Sequence, residues 1–124
     1  MKYLVLIHID PSLRDALPDG EFDTLMQGCI AKADEMADAG TLLMSQQLED
    51  PQTARSLRVR NGRSSITDGP FAETKEFLAG FNLIEAASLE EATEIAQAFP
   101  WARIGCVEVR PVRDMAQVRA RVGA

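Results

Sequence analysis

Lys2-Tyr3-Leu4-Val5-Leu6-Ile7-His8-Ile9 sets the architecture of this chain. The run is rich in leucine and β-branched residues, apolar on both alternations, and stopped by Asp10-Pro11. Such a stretch reads as a strand. Because side chains alternate across a strand, apolar residues at both parities require cover on both faces, which places it in the middle of a sheet.

The elements on either side follow from their periods. From about Glu21 to Ala39 the repeat is helical: Phe22, Leu25, Met26, Cys29, Ile30, Ala33, Met36 and Ala37 share a stripe, and Asp23, Lys32, Asp34, Glu35 and Asp38 lie opposite. Gly40 stands where a glycine ends a helix. Residues 41–48 read as a second strand, closed by Glu49-Asp50-Pro51. Ser56–Arg60 and Arg63–Thr67 flank Asn61-Gly62, a dipeptide that tolerates the left-handed backbone of a tight hairpin turn. After Asp68-Gly69-Pro70, residues 78–86 form a strand around Phe81, Leu83 and Ile84. Ser88-Leu89-Glu90-Glu91 is a capping box, with Ser88 as N-cap and Glu91 reaching back to its amide. The helix it opens carries Leu89, Ala92, Ile95, Ala96 and Phe99 on one stripe and runs to Pro100. A last strand, Ile104 to Val109, closes at Pro111, leaving a tail from Asp114 that is either a short helix or a frayed end.

The order is β-α-β, a hairpin insertion, then β-α-β. This is the ferredoxin-like split βαβ of the α+β class, with both helices on one face of an antiparallel sheet. A single domain over 1–115 with a tail at 116–124 is expected. Since helices cover only one face while strand 2–9 is apolar on both, the other face needs a partner, most simply a second copy about a two-fold axis. A homodimer with two sheets facing a shared interior is the expectation.

Val59-Arg60-Asn61-Gly62 and the string Asp68-Gly69-Pro70-Phe71-Ala72-Glu73-Thr74-Lys75-Glu76 closely resemble the YCII-related family, in particular its DGPF branch, which is known by DGPFAETKE. Met1-Lys2-Tyr3, Gly80-Phe81-Asn82-Leu83-Ile84-Glu85 and Val107–Val112 fit as flanks. The resemblance implies a dimeric α+β barrel of ferredoxin-like protomers in a branch largely without an assigned reaction. It also implies a likeness to accessory proteins that accompany extracytoplasmic-function sigma factors. Better-understood YCII-like members use a His on the first helix with an Asp on the next strand. Here the first helix has no His and residues 41–48 have no Asp, so that pair does not carry over.

Acid–base candidates are Asp68, Glu73 and His8, the sole residue of the one type whose unperturbed pKa lies near neutrality. His8 shares its strand face with Leu4 and Leu6, which points it into the dimer interior if that face turns from the helices. Lys75 would stabilise developing negative charge, and Phe71, Glu76, Arg58 and Arg60 complete a ligand-binding set. The competing bland reading makes Asp68 a turn-former, pairs Glu73 with Lys75, and plugs Phe71 into the core. The Gly69-Pro70 bond is a candidate cis peptide. Glu108 and Arg110, on one face of the last strand, read as an ion pair or dimer contact.

Composition bounds the rest. With 124 residues, 46% of them hydrophobic, the chain suits one globular domain with its own core. Its net charge of −6 argues against nucleic acid, whose phosphates recruit Lys and Arg. The average hides a hairpin region, residues 51–67, with four arginines and no acid. That region suits an anionic ligand or acidic protein partner, or a guarded strand edge. Cys29 and Cys106, far apart with one His in the chain, build no metal site and read as two buried thiols. No metal or cofactor is expected, nor a membrane segment, and the expected location is a reducing cytoplasm. Two functions remain: a cofactor-free enzyme acting on a small organic acid, lactone or similar metabolite, or a non-catalytic regulatory protein that binds a ligand or partner.

Overall fold

The computed structural model describes residues 1–124. Strand β1, Lys2–Ile9, pairs antiparallel with β5, Phe77–Glu85, on one side and β6, Gly105–Pro111, on the other. Strand β2, Leu42–Gln47, pairs with β5 and completes a four-stranded sheet in the order β2-β5-β1-β6. Helices α2, Glu21–Asp38, and α3, Leu89–Ala96, supply the crossovers, so the ferredoxin-like α+β reading holds. The inserted hairpin, β3 Arg55–Arg60 and β4 Arg63–Asp68, forms a separate two-stranded sheet. No helix is long and apolar enough to cross a membrane.

The core lies between the sheet and the two crossover helices. Tyr3, Val5, Ile7 and Ile9 of β1 point into it and are all buried, as are Leu25, Cys29 and Met36 of α2 and Ala92 and Ala96 of α3. Asn82, the one buried amide, is satisfied by Ser45, whose hydroxyl donates to its Oδ1 at 2.6 Å. Helix α2 ends as expected: the Gly40 amide bonds Ala37 O and the Thr41 amide bonds Met36 O, which uses up carbonyls the helix end would otherwise orphan.

Several local expectations are corrected. Helix α3 stops at Ala96, not at Phe99, because Phe99 and Trp101 turn down into the core and the residue before Pro100 is held extended. Ser88 accepts the Glu91 amide, but Glu91 makes no return bond. Cys106 is exposed, unlike buried Cys29, because it falls on the helix-free parity of β6. One short helix went unanticipated, and the two alternatives for the tail are resolved. Asp10-Pro11 opens a one-turn helix, α1 Pro11–Asp15, with Asp10 as its N-cap. The tail is helical, α4 Met115–Val122, capped by Asp114. All peptide bonds are trans, Gly69-Pro70 included.

Candidate functional site

Alternation in β1 leaves Leu4, Leu6 and His8 on the face away from the helices. Register carries that face across the sheet: Leu4 lies between Leu83 and Arg110, and Leu6 between Phe81 and Glu108. Met44 continues the face into β2 opposite Leu83. The result is an apolar floor with charge at its margins and no layer of the same chain upon it.

His8 sits at the end of this floor. Its Nε2 lies 3.1 Å from Glu108 Oε1, and the His8 side chain is 27% exposed. Glu108 is therefore the partner of His8 and does not pair with Arg110. A carboxylate that accepts from Nε2–H fixes the ring and leaves Nδ1 with the lone pair that can take a proton. Close approach of the strands makes this possible. A Cβ on Gly105 would lie 1.9 Å from the His8 carbonyl oxygen, so only glycine lets β6 come against β1 there.

The segment Asp68–Glu76 stands elsewhere. Asp68 is fully in solvent at the root of the hairpin, its Oδ1 3.6 Å from Arg55 Nε. Phe71 is 79% exposed and does not plug the core, because the loop swings outward after Pro70. Arg58 donates to the Phe71 carbonyl at 2.8 Å and so ties the loop to β3. Glu73 is exposed and carries no ion pair; in particular it does not pair with Lys75. Glu76 is half-buried and lends its carbonyl to the Thr74 hydroxyl. Arg60 bonds only the neighbouring Val59 carbonyl. Asp68, Phe71, Glu73 and Arg58 wall a cleft of about 1350 Å³ between the hairpin, α1 and the start of β5, and His8 is not among its walls.

Lys75 reaches Asp10, which does more than stop β1. Its Nζ lies 3.6 Å from Oδ2 of Asp10, whose side chain is almost wholly covered. Oδ1 of Asp10 accepts from both the amide and the hydroxyl of Ser12, at 2.9 and 2.7 Å. These bonds, with the Lys75 ammonium adding to them, hold the Asp10 carboxyl below the usual carboxylate range. The order Asp-Pro-Ser was the available signal, since Asp caps helices and Pro suits the first helical position. At the opposite extreme, burial pushes the Cys29 thiol up, although Trp101 Nε1 donates to its sulfur at 3.2 Å.

The arrangement defines a small ferredoxin-like α+β protein that carries a carboxylate-held imidazole on an uncovered sheet face. The family model for the YCII-related domain matches residues 1–116. An uncharacterized protein of Rhizobium meliloti (strain 1021) is 39% identical over 114 residues, which covers 90% of this chain and 92% of the relative. The chain belongs to the YCII-related family.

Proposed function

We propose that two copies lay their helix-free sheet faces together around a small organic molecule, and that His8, oriented by Glu108, moves a proton on it. The observation that carries the reading is the His8–Glu108 contact beside an apolar floor that its own chain leaves open. Enclosure between two such floors would remove water, and a dry site strengthens charge interactions while keeping a positioned base effective. A small organic acid or lactone fits the combination of an apolar interior with a base and Arg110 at its margin. Asp68 and Glu73 would act only if the partner copy carried them to the site. The resemblance to the DGPF branch supports the two-chain unit and leaves the reaction open.

The exposed arginines of the hairpin favour a second reading, an accessory protein whose hairpin engages an acidic surface. The sole histidine separates the two. Its imidazole gives one set of NMR signals, and a screen of small organic acids and lactones should find members that move them in wild type and not in Glu108→Gln. Ligands that shift only hairpin resonances would sink the enzyme reading and favour the accessory one.

A further inference from the structure

The hairpin and the flank of α2 are complementary surfaces that their own chain keeps apart. Within the hairpin, Leu57 opposes Ile66 and Val59 opposes Ser64, so Leu57, Val59 and Ile66 share one face of the ribbon. They are 65%, 55% and 67% exposed, and no helix or other strand packs on that face. A lone two-stranded ribbon is at best marginally stable in water, so its apolar face calls for cover. Arg60 and Arg63 face each other at the tip beside Asn61 and Gly62. Ribbon twist, largest in two-stranded pairs, and their long side chains let them reach around the edge.

The second surface is a groove of about 360 Å³ between α2 and β2. Ile30, on the apolar stripe of α2, is half exposed and lines the groove with Leu42 and Leu43. Asp34 lines this groove and Asp38 follows one turn on, both without an ion-pair partner. The floor is β2, the outer strand of the sheet, and Leu42–Gln47 contains no charge or proline to guard its unpaired backbone. An acidic, apolar groove over an open strand edge matches a basic, apolar ribbon in charge and in kind.

We infer that the hairpin of one copy docks along the α2–β2 groove of a second copy, with Leu57, Val59 and Ile66 inward and Arg60 and Arg63 against Asp34 and Asp38. Both halves occur once per chain, which makes a second copy the occupant that satisfies each surface without a further component. The inference does not rest on the sheet-face reading: Leu6 and Phe81 line neither surface, and only Met44 borders both the floor and the groove.

Amide hydrogen exchange on residues 55–68 tests it, compared among wild type, Asp34→Lys/Asp38→Lys and Arg60→Glu/Arg63→Glu. The expected result is hairpin exchange slowed on the order of tenfold in concentrated wild type. That protection should vanish on dilution and in the α2 variant, whose own hairpin is unchanged. Adding the arginine variant, whose groove is intact, should restore protection to the α2 variant's hairpin. Hairpin exchange that is the same in all samples would overturn the inference. If the hairpin loses protection in the α2 variant and the arginine variant fails to restore it, that also counts against a second copy.

Discussion

β1 with its neighbours and the β3–β4 hairpin are built from the same kind of material and meet different fates. Both are antiparallel and carry apolar side chains, β1 on both parities and β3 on one. In the four-stranded sheet one parity is sealed under α2 and α3, so that Val5 and Ile84 lose all contact with solvent. In the hairpin neither parity is covered, and Ile66 remains two-thirds exposed. The sheet is thus held by its own chain on one face and left open on the other, while the hairpin is open on both. Burial within the protomer accounts for the fold; what it leaves uncovered is where partners and ligands are proposed to act.

Isoleucine in the two regions gives the sharpest contrast, and its larger half is the first prediction. Ile84→Ala removes a fully enclosed side chain and should cost about 2–5 kcal/mol in urea unfolding. A cost under about 1 kcal/mol would mean that the sheet–helix core is looser than described. Next comes the seam that brings Glu108 to His8. Gly105→Ala drives a Cβ into the His8 carbonyl, and overpacking of that kind costs about 1–3 kcal/mol. Its local signature is faster exchange of the β1–β6 amides near His8, with the β2–β5 pairing unchanged.

A smaller effect is expected from pH. Asp10 titrates below its unfolded value of 3.8, so its contribution to stability is complete above that value and is lost as pH falls through the folded one. Asp10→Asn should therefore flatten the acid side of a stability-against-pH curve. It should also free the Lys75 end of the loop, seen as faster exchange over residues 69–76. An acid limb identical to wild type would show that another carboxylate dominates. The smallest effect belongs to the hairpin: Ile66→Ala in dilute protein should change stability by no more than about 0.5 kcal/mol. A larger loss there would erase the contrast with Ile84.

Much of the fold was legible because it rests on local periods. Two-sided apolarity in residues 2–9, the helical stripe from Phe22 to Ala37 and the Asn61-Gly62 turn each reflect geometry within a few residues. The site was less legible because it depends on register. His8 and Glu108 are a hundred positions apart, and only the β1–β6 pairing puts them together. The same pairing exposes Cys106, whose residue type suggested burial. Asp10 was hidden differently: one residue ends a strand, caps a helix and receives Lys75, and only the first role shows in a reading for strand boundaries. Nor does a stripe's width reveal how much of it a sheet will cover, which is why Ile30 reads as core and lies at a groove.

The helix-free floor of the sheet is proposed as the inside of a two-chain unit. Sedimentation equilibrium on wild type and Leu6→Lys tests it most directly, since Leu6 stands on that floor between Phe81 and Glu108 and touches neither the hairpin nor the α2 groove. Wild type should sediment at twice the 13.6 kDa chain mass, and the folded variant should shift toward the single-chain mass. A wild-type protein that sediments as one chain, or a variant that keeps the wild-type mass, would contradict it.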